Sequence, residues 1–380
     1  MSTIIRTRSP YFIRTPEETD ATLSYFSIDI NLKNGVLAEI SCPVSLGSFT
    51  LNKKPIGTEN SVSFDISEIV NDFIEQLYTL DTLQGLNAAA DGQSIWVQIT
   101  TRARTSSGAI IGSATNTTYL AQEGYNSFKE GVNYTTQQNA LITPNYIQYK
   151  KGDFIYIPVN VEDVTSVLFR YNGTTISTQN ITNSTESQNK IKYVGFSTIS
   201  QQIDEILINY GDESGRTIKV EEVEECKYPT HKIVFINRWG ALQYLYFFKK
   251  STDSLNTTSE NYNSSIFYAN KISFGIPIGG TCSPSSQFNV YNTNAHSKKT
   301  YNSNGIESIV LNTGYVNELI NPSFEELMVS EYVWLVDSDN IIYPVNLKES
   351  SFNKKTGLND GLINYTMSFE KSFSIVNNIR

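Results

Sequence analysis

The sequence predicts a mainly β protein: serial β-sandwich domains of immunoglobulin or fibronectin type, followed by a C-terminal β-rich domain with one short helix. Three observations predict it. Apolar residues alternate with polar ones at period two along most of the chain. Helical spacing is confined to two short stretches, residues 65–77 and 323–329. Turn dipeptides such as Asn172-Gly173 separate the alternating runs. A chain of 380 residues exceeds what one core usually spans, so about two to four domains are expected.

The first domain is expected over residues 1–122. Strand-like alternation appears at residues 23–30 and again at Ile95-Trp96-Val97-Gln98-Ile99-Thr100. Between them Ile66, Ile69, Val70, Phe73, Ile74 and Leu77 recur at helical spacing, and Asp65 with Glu68 resembles a capping box. This predicts a sandwich-like unit with one amphipathic helix whose apolar stripe faces the core. Residues 123–141 are polar and rich in Asn, Gln and Thr, which reads as a linker or an extended arm.

Residues 142–228 predict an immunoglobulin-like sandwich. Strands are expected at 154–159 and 167–171, the latter closed by the Asn172-Gly173 hairpin turn. A second hairpin is expected from strands 206–210 and 217–220, with Gly211 and Gly215 in the turn. About seven short strands separated by turn signals fit that architecture.

The third domain, 229–380, carries the densest aromatic and β-prone sequence. In Leu242-Gln243-Tyr244-Leu245-Tyr246-Phe247-Phe248 the alternation places Leu242, Tyr244, Tyr246 and Phe248 on one face and Leu245 and Phe247 on the other. With Trp239 they suit a core, a subunit interface or the wall of a carbohydrate groove. Pro322-Ser323 followed by Glu326 predicts a helix start, and a strand follows at 332–336. Asp337-Ser338-Asp339-Asn340 reads as a hairpin turn, because a calcium loop would need a central Gly and a distal Glu. In the last strand Ile363, Tyr365, Met367 and Phe369 share a buried face, while Asn364, Thr366, Ser368 and Glu370 face water or an interface. Residues 289–304, polar and carrying His296, predict a long exposed loop of the kind that reaches neighbours.

No constellation for chemistry is legible. Only His231 and His296 could serve a nucleophile, and neither lies in a recognisable triad context; His231 reads as a strand-edge residue. No zinc, phosphate-loop or dinucleotide motif occurs. Cys42, Cys226 and Cys282 are far apart and odd in number, so neither a disulfide framework nor a metal site is expected. Catalytic, cofactor-binding and metal residues are therefore none, and no enzyme is expected. A carboxylate pair for sugar hydrolysis stays open, since geometry rather than spacing defines one. The net charge is −9 and no run of Lys or Arg exceeds two, which argues against nucleic-acid binding. The acidic Glu221-Glu222-Val223-Glu224-Glu225 reads as a solvated strand end. No apolar run suggests a membrane span or a secretory signal, so a chain made in the cytosol and soluble is expected. Charged residues are 18%, below the usual quarter, which leaves a surface of Asn, Ser and Thr. Such a surface suits permanent contacts, because amides and hydroxyls cost less to desolvate than ions. An AT-rich coding sequence would produce the same bias.

At Asn237-Arg238-Trp239-Gly240 with its following aromatics, and at the closing Leu358-Asn359-Asp360-Gly361-Leu362-Ile363-Asn364-Tyr365-Thr366-Met367-Ser368-Phe369 stretch, the chain resembles virion proteins of tailed phages, mainly over residues 230–380. The group is that of phages infecting Bacteroidetes, including the crAss-like phages, with a weaker echo at Arg8-Ser9-Pro10-Tyr11-Phe12-Ile13. The resemblance implies a structural tail protein, a ring or adaptor around the tail tube, made in the bacterial host cytoplasm and found in the virion. Its expected partners are its own copies, in a sixfold or twelvefold cyclic ring, and other tail proteins. The alternative is a receptor- or glycan-binding head or tail fibre, against which stands the lack of repeats or coiled-coil heptads for trimerisation.

Overall fold

The structure is a computed structural model of the chain, and it describes residues 4–34, 45–79, 84–88, 92–133, 140–160, 164–181, 191–211, 215–264, 293–356 and 362–376. Strand takes up 54% and helix 6%. Helix is thus far below the usual third, and the mainly β expectation holds.

The first unit contains β1 (Ile4–Arg6), β2 (Phe12–Arg14), β3 (Leu23–Lys33), β4 (Ser45–Lys53), β5 (Ser63–Asp65), α1 (Ser67–Asn71), β6 (Gly85–Ala88), β7 (Ser94–Thr105) and β8 (Ile110–Gln122). Five of these strands form one sheet in the order β1-β8-β7-β3-β4. Alternation gives it one apolar face, with Ile28, Ile30 and Leu32 from β3 and Ile95, Val97 and Ile99 from β7. The opposite face is polar, with Thr100 donating to Asn116 at 2.6 Å and Arg102 paired with Asp29. Among the described residues no second full sheet covers the apolar side. The two-stranded ribbon β2–β5 and α1 do so, through Phe64, Ile66, Val70 and Ile74.

The helix expected over 65–77 is a five-residue turn. Asp65 remains in β5, where its Oδ1 accepts hydrogen bonds from the Ser67 N–H (3.1 Å) and hydroxyl (2.7 Å) and from the Tyr11 N–H (3.2 Å). It therefore anchors the turn without the reciprocal Glu68 contact of a capping box. Beyond Asn71 the bonds from Phe73 to Val70 and from Ile74 to Asn71 tighten to three-residue spacing. Phe73 then turns its ring edge-on to Phe49 on the sheet, and Leu77 is left 60% exposed.

The second unit has the expected seven strands: β9 (Tyr146–Tyr149), β10 (Phe154–Asn160), β11 (Val164–Tyr171), β12 (Thr174–Asn180), β13 (Ile191–Ser197), β14 (Glu205–Tyr210) and β15 (Arg216–Glu222). They form two sheets, β12-β11-β14-β15-β9 and β10-β13; the chain crosses between them four times, while β11–β12 and β14–β15 are hairpins within the larger sheet. Phe169 of one sheet stacks on Phe196 of the other at 4.5 Å, in a core of Ile155, Ile157, Val167, Ile206 and Ile218. Asn172 and Gly173 have φ of 47° and 74°, the two positive values that a two-residue hairpin turn needs. One strand was not foreseen. β6 of the first unit pairs antiparallel with β13 and lengthens the smaller sheet, and Leu86 packs on the second core.

The third unit consists of β16 (His231–Ile236), β17 (Leu242–Phe247), β18 (Thr252–Asn263), β19 (Lys298–Asn312), β20 (Val316–Asn317), α2 (Asn321–Met328), β21 (Val333–Val336), β22 (Ile342–Leu347), β23 (Leu362–Ile363) and β24 (Thr366–Lys371). Seven strands make one sheet, ordered β17-β16-β21-β22-β24-β19-β18. β17 and β18 are its two edges, yet only residues 248–251 join them. The sheet must therefore curl, and Phe247 of β17 meets Phe369 of β24 across its inside at 5.9 Å. Ile233, Phe235, Leu311, Leu335 and Met367 fill this half-barrel, closed by Phe324 and Leu327 of α2.

The Ser323/Glu326 start expected for this helix is also revised. Pro322 lies in the first turn, and a 3₁₀ turn over Glu318–Ile320 precedes the helix, with Asn317 Oδ1 accepting from the Leu319 N–H at 3.0 Å. Ser323 and Glu326 sit inside α2 and reach other elements, accepting from the Gln243 side-chain amide (2.7 Å) and the Thr143 hydroxyl respectively.

Of two segments expected to be irregular, one is strand and the other is irregular but anchored. Residues 298–304, placed in a loop, begin β19 and pair with β18; residues 289–292 lie outside the described residues. The described part of the 123–141 linker is bolted down. Gly124 O accepts from the Arg8 N–H (2.9 Å), the Tyr125 N–H donates to Arg238 O (2.9 Å), and Ala140 and Ile142 enter the second core.

Candidate functional site

Three features of the surface and junctions carry functional weight. The first is the turn Asn237-Arg238-Trp239-Gly240 between β16 and β17. Asn237 organises it by accepting, through Oδ1, from the N–H groups of Trp239 (3.0 Å) and Ala241 (3.1 Å). Its side-chain amide donates to Leu141 O of the second unit at 2.7 Å. Gly240 has φ of 78°, and a Cβ there would lie 1.7 Å from Glu123 O, so only glycine fits.

The turn ties all three units together. The Trp239 indole donates to the Thr143 hydroxyl at 3.1 Å, and the Tyr193 hydroxyl accepts from the Leu242 N–H at 3.0 Å. The guanidinium groups of Arg6 and Arg238 lie 4.7 and 4.6 Å from the Trp239 ring centre. Arg238 holds both oxygens of Glu130, at 2.7 and 2.8 Å. Burial, then the Arg238 charge, brings Arg6 down to about 9, with Glu130 opposing. Two carboxyl groups are buried at the same junction. Burial pushes Glu123 up to about 7, reinforced by Glu331 and opposed by Gln76 and Arg8. Burial also pushes Glu326 up to about 7, against Thr143 and Arg238. The three units are thus held as one body through a polar and aromatic joint.

The second feature is the β18–β19 ribbon. All twelve residues of β18 are exposed, and β18 is an edge of its sheet. At about 3.3 Å per residue it is on the order of 40 Å long. Polar side chains bond across the ribbon, as in the Thr300 hydroxyl to Asn261 Oδ1 at 2.7 Å, and Tyr262 meets Tyr301 at 6.1 Å. The C-terminal strand end adds to its base, with the Ile375 N–H donating to Gly305 O at 2.8 Å. Lys298 and Lys299 stand at the far end of β19, opposite Asn263 and Tyr262.

The third feature is a cavity of about 500 Å³ at one rim of the half-barrel. The first residue of β16, the ends of β21 and β24, the start of β22 and the base of the ribbon meet there. His231, Asp253, Glu307, Asp337, Tyr343 and Lys371 contribute to its wall. His231 is 8% exposed, and neither ring nitrogen has a hydrogen-bond partner among the described residues. Burial holds its pKa below the ordinary value, while Asp253 and Asp337 oppose this.

His231, expected at a strand edge, is thus a cavity residue, and nothing in local sequence distinguishes the two. His296 is exposed just before β19. Cys226 is exposed, and Cys42 and Cys282 lie outside the described residues. Among the described residues no three His, Cys, Asp or Glu side chains are grouped to hold a metal ion, and no helix is long and apolar enough to cross a membrane. The Asp337 turn forms as expected, Oδ1 accepting from the N–H groups of Asp339 (2.9 Å) and Ile341 (2.8 Å). The aromatic run of β17 is core rather than a groove, with Leu245, Tyr246 and Phe247 buried.

Comparison of the chain with protein-family models and with curated proteins finds no match.

Proposed function

We propose that this protein is a structural subunit of a phage tail, a ring or adaptor component that works as a symmetric oligomer. The observation that carries this reading is the β18–β19 ribbon, a long exposed edge strand mounted on three units locked into one body. An edge strand of that length offers a row of backbone N–H and C=O groups to another chain. Its side chains are mostly hydroxyls and amides with two carboxylates, Asp253 and Glu260, and its large apolar side chains are Leu255 and Tyr262. That composition disfavours indiscriminate aggregation while leaving backbone pairing available. A rigid body is what a closed ring needs, because a fixed angle between contact surfaces determines whether successive subunits close. The resemblance of the 237–240 and 358–369 stretches to tail proteins points the same way.

The test is the mass of the full chain in solution beside a variant without the ribbon. Thr257 and Gly305 are partners across the ladder, so replacing residues 258–304 by an Asn-Gly turn rejoins the strands in register. The parent is expected to form a ring, and the variant to be a folded monomer. A parent that is a trimer would favour the fibre reading, and a variant that assembles like the parent removes the ribbon from the interface.

A further inference from the structure

We propose that the cavity at the rim of the half-barrel is a binding site for a small organic cation, a protonated amine on a short carbon skeleton. This goes beyond the assembly role and does not depend on it.

The wall has three carboxylates, from Asp253, Glu307 and Asp337, and one lysine, Lys371. Lys371 is already committed. Its ammonium pairs with Glu307 and lies 4.1 Å from the centre of the Tyr343 ring. Asp253 and Asp337 are in no ion pair among the described residues, and they line the cavity from β18 and from the turn after β21. Asp337 spends one oxygen on the turn N–H groups of residues 339 and 341. The cavity therefore carries excess negative charge that an anion would worsen and a neutral polyol would leave uncompensated.

His231 is the second, independent observation. A histidine this buried with both nitrogens unsatisfied is uncommon in a folded core, where buried polar groups find partners. With its pKa held down, the ring offers one acceptor and one donor in a wall otherwise rich in acceptors. An ammonium group in the cavity would pair with the carboxylate of Asp253 or Asp337, in a wall that also holds the imidazole of His231. A bare divalent metal fits less well, since no three ligating side chains converge closely enough. The volume lies within the roughly 300–1,000 Å³ range of small-molecule pockets. Leu335 and Ile309 give it apolar wall for a carbon skeleton.

The test is calorimetric titration of the full chain with butylamine, with butanol and glucose as uncharged comparisons. Butylamine is expected to bind, the two neutral probes not, and Asp253→Asn to weaken butylamine by roughly tenfold or more. A second readout needs no variant. The chain has only two histidines, so butylamine should shift the imidazole resonances of His231 and leave those of exposed His296 in place. Absence of butylamine binding, equal binding by the Asp253→Asn chain, equal binding of butanol, or a His231 signal that does not move would each overturn the site.

Discussion

Glu326 is the group whose titration is most directly tied to the junction, and Glu326→Gln perturbs it with little change in shape. The side chain is 4% exposed on α2, with Oε1 accepting from Thr143 of the second unit and the carboxylate facing the backbone of Arg238. Its pKa rises from 4.5 to about 7, chiefly through burial. A carboxyl whose pKa is higher folded than unfolded stabilises the fold fully below the unfolded value. That contribution is lost as pH rises through the folded value and then levels off. At about 1.4 kcal/mol per pH unit, the interval corresponds to roughly 3 kcal/mol. Glutamine copies the neutral acid and can still accept from Thr143, but its amide hydrogens lack an acceptor, which costs about 1 kcal/mol. The variant should therefore be about 2 kcal/mol more stable than the parent near pH 8 and no more stable near pH 4.5. Urea unfolding across that range measures this. The parent's stability should fall more steeply with rising pH than the variant's, which keeps the part due to Glu123 in the same direction and the opposing part due to His231. An unchanged pH slope in the variant would refute the assignment of that slope to Glu326.

Two further substitutions probe the same joint. Gly240→Ala puts a Cβ against Glu123 O at a positive φ and should cost about 3 kcal/mol or more, read as a thermal midpoint lowered by several degrees. Trp239→Phe keeps a ring near Arg6 and Arg238 but loses the indole bond to Thr143. It should cost about 1 kcal/mol in urea unfolding, and a loss no smaller than that of Trp239→Ala would mean the ring packing contributes nothing.

The legible parts of the fold were those where one face of a strand is buried. Alternation places Ile363, Tyr365, Met367 and Phe369 on one face and all four are buried, but the single strand expected there is broken at Asn364-Tyr365 into β23 and β24, which belong to different sheets. Asn172-Gly173 announced its hairpin because few residues other than Asn and Gly accept two consecutive positive φ values. β18 was invisible for the opposite reason: with every residue exposed, its sequence has no apolar period to read. β6 was missed because four residues, Gly85-Leu86-Asn87-Ala88, carry too short a pattern, and its partner β13 lies about a hundred residues away. The helix at 65–77 was overextended because tertiary packing of Phe73 on Phe49 overrode the local period. At the junction, Asn237 to Gly240 could be singled out as a stretch, but the Arg6, Glu123 and Thr143 contacts are long-range. The cavity depends on curling of a seven-stranded sheet, and nothing along the chain announces which strand ends will meet at one rim.

The central proposal, that this chain assembles as a structural ring of a phage tail, is tested most directly by imaging virus particles purified from cells in which the chain is made. The account predicts repeated copies of the three-unit body arranged cyclically around the tail tube, with the β18–β19 ribbon of each copy lying against a neighbour. Absence of the chain from the particles would contradict it, and so would a place in a trimeric fibre with the ribbon free in solvent.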